Sequence, residues 1–88
     1  MANTASAIKR VRSNARKRVR NRIVRNVTRA EIRKARQALA GKDVTVARQA
    51  VAAAVSKLDK AAGKGVLHKN NAARRKSRLM KKLARMAA

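Results

Sequence analysis

The 88-residue sequence contains no proline, no cysteine and no aromatic residue. Without cysteine it has neither a disulfide framework nor a thiolate metal site, as expected of a reducing compartment. Without Phe, Tyr or Trp it lacks the rings on which single-strand binders stack unpaired bases. Any core must therefore be built from Ala, Val, Leu, Ile and Met, and we expect one small domain of marginal stability.

Acidic residues are also scarce, since the sequence has only Glu31, Asp43 and Asp59. No two of them have the spacing of a general acid/base pair, and the single histidine, His68, cannot form a triad or a zinc site without Cys. We therefore expect no enzymatic activity, no cofactor, no metal and no small-molecule substrate. Local structure explains each acid: Glu31 beside Lys34, Asp43 as a helix cap, and Asp59 paired with a cation of another helix.

Positive charge dominates what is present, with 26 Lys and Arg residues and a formal net charge of +23. A small folded body with this charge repels itself, and the densest polyanion available to neutralise it is nucleic acid. No apolar segment approaches membrane-spanning length and no secretory h-region is visible. We therefore expect a nucleic-acid partner, no membrane, and a cytoplasmic location.

The glycines fall in two places, Gly41 and the pair Gly63 and Gly65, while strong helix formers fill the rest. This pattern predicts an all-α fold of three helices. Short joints favour antiparallel neighbours, so a three-helix bundle is the simplest arrangement. The predicted helices run from about Ser6 to Ala40, from an N-cap at Asp43 or Thr45 to about Gly63, and from an N-cap at Asn70 to the C-terminus.

In the first helix the apolar residues recur mostly in steps of four. Because four residues exceed the helical period of 3.6, these residues form a narrow stripe that rotates gradually about the helix axis. We expect the half from Ile23 onward to pack in the bundle, residues 23–88. Residues 1–22, here called the arm, are basic nearly all round and are predicted to project into the partner and to be frayed until they bind. The stripe comprises Ile8, Val11, Ala15, Val19, Ile23 and Val27, and the predicted packing residues are Ile23, Val24, Val27, Ala35, Ala38 and Leu39.

The second helix is the least charged and has the cleanest amphipathic spacing. The third has an apolar face among many cations. The predicted inward residues of the second helix are Ala47, Ala50, Val51, Ala54, Val55, Leu58, Ala61 and Ala62, and those of the third are Ala72, Ala73, Leu79, Met80, Leu83 and Met86.

Two basic clusters are the candidate binding residues, one in the first helix and one in the third, at the other end of the bundle. Arg forks bind two phosphate oxygens at once, and Asn side chains can reach sugar hydroxyls or base edges. His68 either hydrogen-bonds locally at the helix entry or contacts RNA. The candidates are Lys9, Arg10, Arg12, Asn14, Arg16, Lys17, Arg18, Arg20, Asn21, Arg22, Arg25 and Arg29, then His68, Lys69, Asn70, Arg74, Arg75, Lys76 and Arg78.

The segment Gly65–Leu79, GVLHKNNAARRKSRL, resembles the C-terminal signature of the bacterial small-subunit ribosomal protein S20 family. The opening Met1-Ala2-Asn3, with Ser6-Ala7 and Lys9-Arg10, is similar to the start of that family. The resemblance covers the whole chain. It implies a small helical bundle in the ribosome that binds 16S ribosomal RNA directly, at the 5′ domain and the long penultimate helix near the 3′ end, beside other small-subunit components. It also implies that the first-helix cations and the segment from His68 to Arg78 are the RNA contacts.

The composition alone leaves two other classes of function open. A histone-like, DNA-compacting protein would also be strongly basic, but the sequence lacks the Ala/Lys/Pro-rich repeats common in such tails. A cationic membrane-active peptide would need a bulky apolar face on its basic helices. The first helix has only one narrow stripe, so this third alternative is weaker still.

Overall fold

Three α-helices account for most of residues 4–87, the part of the chain that this computed structural model describes. Helix α1 spans Ala5–Ala40, α2 spans Val44–Gly63 and α3 spans Lys69–Ala87. No strand occurs among these residues, so the predicted all-α fold of three helices is confirmed. The opening Met1-Ala2-Asn3 and the last residue, Ala88, lie outside the described residues.

The joint between α1 and α2 is short and well capped. Gly41 follows the last residue of α1, and its N–H donates to the carbonyl of Ala38 at 3.1 Å. The Oδ1 atom of Asp43 accepts the backbone N–H of Thr45 at 2.9 Å and that of Val46 at 3.3 Å. Asp43 is therefore the N-cap of α2, as one of the two predicted alternatives had it, and Thr45 lies in the first turn.

The second joint depends on a left-handed glycine. Gly65 has φ +75°, and its N–H donates to Ala62 while that of Val66 donates to Ala61, both at 3.0 Å. These two bonds form a Schellman motif, which satisfies the last carbonyls of α2 and needs a residue without Cβ at this position. Gly63 is the last residue of α2 and has no such requirement.

Helix α3 begins at Lys69, two residues earlier than an N-cap at Asn70 predicts, so the predicted cap is wrong. Asn70 lies within the helix, and its backbone N–H donates to Nδ1 of His68 at 3.1 Å. The imidazole thus supplies the acceptor that a Ser, Asp or Asn side chain usually gives at a helix start. Sequence preference pointed to Asn70 because His is an uncommon capping residue.

The helices run up, down and up, so α3 is parallel to α1. Lys64 and Val66, just before α3, lie beside Lys17 and Val24 of α1. At the opposite end Arg85 of α3 lies beside residues at the end of α1. The predicted position of the third-helix cluster, at the end of the bundle far from the arm, is therefore wrong: α3 starts near the arm.

Helix α2 supplies most of the core, as its amphipathic spacing predicted. All eight of its predicted inward residues are buried or half-buried. Its Leu58 is the largest side chain that is fully enclosed. The buried apolar residues are Ile32, Ala35, Ala47, Val51, Ala54, Leu58, Ala61, Ala72 and Leu79.

Part of the predicted inward face of α1 is wrong. Ile23 and Val27 are exposed, whereas Thr28 and Ile32, which the pattern did not single out, are buried with Ala35. The Oγ1 of Thr28 donates to the carbonyl of Val24 at 2.7 Å, which satisfies the hydroxyl inside the bundle. The exposed stripe and the buried residues lie on different faces of one helix, and periodicity alone does not say which face packs.

In α3 the outer members of the predicted face are also wrong. Met80 and Ala73 are exposed, while Ala72 and Leu79 are buried. Met80 lies one position, or about 100°, from Leu79, so it turns away from α2. Leu83 and Met86 are half-buried, as expected for a face that loses its neighbours toward the chain end.

The predicted ion pairs are confirmed. Lys34 Nζ lies 3.7 Å from Glu31 Oε1 on the surface of α1. Lys76 Nζ lies 3.0 Å from Asp59 Oδ1, so the carboxylate near the end of α2 is neutralised by a cation of α3. Both members of this second pair are partly exposed, and such pairs contribute about 0.2–1 kcal/mol.

Helix α1 is far longer than the other two. Its 36 residues make it about 54 Å long, and the described residues extend 64 Å along one axis against 19 and 13 Å along the others. Residues 4–20 are exposed apart from half-buried Ala7 and Ser13. None of the helices described is long and apolar enough to cross a membrane.

Replacing Leu58 with Ala should lower the free energy of unfolding by about 2–5 kcal/mol, because it leaves a cavity at the most enclosed side chain of a thin core. Urea unfolding followed by circular dichroism measures the change. The control Met80→Ala removes an exposed side chain of similar size and should shift stability by less than about 0.5 kcal/mol. Equal losses in both variants would contradict the assigned core.

The helicity of the free protein should rise with salt. Cations repeat at i, i+3 and i+4 along the arm, where like charges disfavour the helix, and salt shortens the range of this repulsion from about 10 Å at 0.1 M to about 3 Å at 1 M. The ellipticity at 222 nm, measured without RNA over this range, reports the change. An ellipticity that does not change with salt would contradict the predicted fraying of the arm.

Candidate nucleic-acid interface

A cationic groove of about 540 Å³ lies between α1 and α3. Its floor is apolar, formed by Ile32 and Leu79, which pack toward the core. Its walls carry cations from both helices and no acidic residue. The groove cations are Arg29, Arg36, Arg74, Arg75, Arg78 and Lys82.

Helical spacing places these cations along the groove. Arg29 and Arg36 are seven positions apart, two turns of α1, so both side chains leave the same side of that helix. Arg74, Arg78 and Lys82 are successive members of a four-residue row on α3. Because α1 and α3 are parallel, the two rows face each other across the groove. The cations of the two rows repel each other, and an anion between them would relieve this repulsion. The groove therefore favours an anion.

One guanidinium of the groove is held in position. Arg75 Nε donates to Asn71 Oδ1 at 2.8 Å, one turn earlier on α3. This bond leaves the terminal nitrogens of Arg75 free to donate to another acceptor and reduces the rotamer freedom lost on binding. Arg75 is also half-buried, unlike the other predicted arginines.

The three acids of the sequence leave the groove cations uncompensated. Glu31 pairs with Lys34, Asp43 caps α2 and Asp59 pairs with Lys76. Within residues 4–87 no group of three His, Cys, Asp or Glu side chains lies together as a metal site would require. The arrangement of uncompensated cations can bind phosphates and sugars.

The predicted contacts of α3 divide into three groups. Arg74, Arg75 and Arg78 line the groove with Arg29 of α1. Lys76 is directed to Asp59 of α2 instead. The remaining three, His68, Lys69 and Asn70, are exposed at the start of α3, where His68 makes the local hydrogen bond that was one of its two expected roles.

The predicted contacts of the arm form an exposed surface along α1. All of them except Asn21 are exposed, and Asn21 lines a recess of about 610 Å³ where the arm meets the start of α3. The recess has cations on both sides, Lys17 and Arg20 from α1 and Lys64 from the joint. The exposed arm residues are Lys9, Arg10, Arg12, Asn14, Arg16, Lys17, Arg18, Arg20 and Arg22, and Arg25 follows them on α1.

Three polar residues of the groove were not among the predicted contacts: Arg36, Asn71 and Lys82. The four-residue spacing of Arg74, Arg78 and Lys82 was available in the sequence. The sequence does not show that Arg36 and Lys82 face each other, because this depends on the parallel arrangement of two helices that α2 separates along the chain.

Comparisons with known proteins identify the family of this chain. The family model for ribosomal protein S20 matches residues 2–84. A small ribosomal subunit protein bS20 of Roseiflexus sp. (strain RS-1) is 53% identical over 89 residues, covering all of this chain and 96% of that protein. The protein of the same name from Thermomicrobium roseum is 50% identical over 82 residues, covering 93% and 83%, and that from Cutibacterium acnes is 48% identical over the full length of both. The chain belongs to the ribosomal protein S20 family.

Proposed function

We propose that the protein is a structural constituent of the small ribosomal subunit that binds 16S rRNA directly and clamps rRNA helices through phosphate and sugar contacts. The observation that carries the proposal is the α1/α3 groove, where six cations converge with no acid. Relatives of nearly equal length named as small ribosomal subunit proteins support the assignment to that particle. A ribosomal protein family is structural rather than enzymatic, in agreement with the scarcity of acids and the lack of cysteine.

The mechanism is neutralisation of phosphates by two surfaces of the chain, one on the arm and one on the bundle. The arm presents cations along α1, and the groove presents a second set between α1 and α3. RNA strands that repel each other can approach when the protein places arginines between them, and released counterions drive the binding. The helices can use the shape, backbone and 2′-hydroxyls of A-form RNA, which needs no stacking rings.

The whole chain acts as one RNA-binding domain in this proposal, with the arm at residues 1–22 and the bundle at residues 23–88. Its partners are the 5′ domain and the long penultimate helix of 16S rRNA, with other small-subunit components near by in the cytoplasmic ribosome. The DNA-compacting alternative has the composition in its favour but not the family. Sedimentation separates the two, because the proposal places the protein with 30S subunits and the alternative places it with nucleoid DNA.

Binding to a 16S rRNA transcript should depend steeply on salt. A protein that neutralises about six to ten phosphates loses about 10³–10⁵-fold in affinity between 50 and 200 mM salt. Filter binding or fluorescence anisotropy over this range measures the slope of log K against log salt. A flat response would rule out the phosphate-neutralising mechanism.

Replacing Arg16, Arg18, Arg20 and Arg22 together with Gln should lower the steepness of that salt slope by about 3 to 4, because four counterion-releasing contacts are removed. Gln has a helix propensity close to that of Arg and all four side chains are exposed, so the bundle should keep its unfolding midpoint. Collapse of the fold in this variant would instead refute the projecting arm.

Neighbouring cations of α3 should differ in their effect. Arg75 lines the groove whereas Lys76 is bonded to Asp59, so Arg75→Gln should weaken rRNA binding about tenfold or more and Lys76→Gln should weaken it much less. Lys76→Gln should instead lower stability by about 0.2–1 kcal/mol. Anisotropy and urea unfolding of both variants give the comparison, and equal losses of affinity would remove the groove from the interface.

A further inference from the structure

The arm carries an exposed apolar stripe that the bundle does not use. Val11, Val19 and Ile23 are 68%, 55% and 55% exposed, and Ile8 and Val27 belong to the same stripe. At its middle the stripe lies opposite the core face of α1: Val19 and the buried Thr28 are nine positions apart, about 180° round the helix, as are Ile23 and the buried Ile32. Helices α2 and α3 leave the stripe residues exposed.

Arginine borders this stripe on both sides. Each stripe residue from Val11 to Val19 is followed at once by an arginine, which places one row about 100° to one side. A second row precedes the stripe residues and lies about 100° to the other side, with an asparagine in its gap. The rows are Arg12, Arg16 and Arg20 on one side, and Arg10, Asn14, Arg18 and Arg22 on the other.

The two lysines of the arm are placed differently. Lys9 and Lys17 stand two positions before Val11 and Val19, about 200° away, so both lie behind this stretch of the stripe, although Lys9 also follows Ile8 directly. Arginine presents a planar fork that binds two phosphate oxygens, whereas lysine presents a point charge. The sorting of arginine to the borders and lysine to the back indicates that the bordered face makes the directed contacts.

The stripe also winds in a defined sense. Its residues advance by four, which overshoots one turn by about 40°, so from Val11 to Val27 the stripe rotates by about 160°. An apolar period longer than 3.6 residues winds in the right-handed sense. A nucleic-acid duplex is right-handed too, so this stripe can follow a groove along its course.

We propose that the arm lies in the minor groove of double-helical RNA, with the apolar stripe against the riboses and one row of arginines on each flanking phosphate strand. The A-form minor groove is wide and shallow and displays the sugars, whereas its major groove is too deep and narrow for side chains to read. Asn14, in line with one arginine row, can bond a 2′-hydroxyl. This inference rests on the proposed function and identifies the RNA surface that the arm binds.

The test is the double variant Val11→Ala/Val19→Ala, compared with the matched control Val46→Ala/Met80→Ala. Val46 and Met80 are 51% and 55% exposed on α2 and α3, so the control also removes two exposed apolar side chains. Alanine keeps the helix and both variants keep every charge. Binding to a 16S rRNA transcript should weaken about tenfold in the stripe variant at every salt concentration, with an unchanged salt slope, and less than about twofold in the control.

Probing of the same complexes distinguishes the grooves. The stripe variant should lose hydroxyl-radical protection of riboses along one minor groove, while the reactivity of guanine N7, which lies in the major groove, should not change. A stripe variant that binds as tightly as the parent would overturn the inference while leaving the proposed function in place. A parent chain that does not bind the transcript would overturn both.

A protein partner is the competing occupant of the stripe. Sedimentation of the RNA-free parent and stripe variant tests self-association. If the parent sediments as a larger species than the variant and the two bind RNA equally, the stripe belongs to a second copy of the chain and the RNA inference is wrong.

Discussion

Repulsion among the cations is the constraint on which the rest of the structure depends. A net charge of +23 must be carried by a body whose buried apolar residues, among those described, are nine, five of them alanine. The bundle accommodates this by making α2 the least charged helix, with three cations, and packing it against one face of α1 and one of α3.

The same repulsion links stability to the partner. The groove arginines and the arm raise the free energy of the free protein, and an anion between them removes that cost. A ligand that binds only the folded state stabilises it in proportion to the logarithm of its concentration over Kd. Under the proposed function, folding and rRNA binding are coupled through charge, whereas the alanine-rich contacts of α2 fix the geometry in which the charges are presented.

The sequence predicted the helices because their ends depend on local chemistry: Asp43 caps α2, and Gly65 takes the left-handed conformation after it. The sequence predicted which face of α2 is buried because that helix has a single apolar face. In α1 two rows compete, and the exposed Val19 and Ile23 look more like a core than Thr28, whose hydroxyl bonds within its own helix. The α1/α3 groove could not be predicted, because it depends on the distance and direction of helices far apart in sequence.

The two rows of α1 also explain why the helix continues unbroken from the bundle into the arm. The core row, from Thr28 to Leu39, is fixed against α2, so it sets the rotation of the whole rod about its axis. Each residue turns the helix by about 100°, and the number of residues between Val19 and Thr28 therefore decides which way the stripe points. A flexible joint in place of this stretch would keep every contact residue yet lose their common orientation. If the arm binds RNA as proposed, an α1 without proline or glycine between Ala5 and Ala40 serves recognition as well as folding.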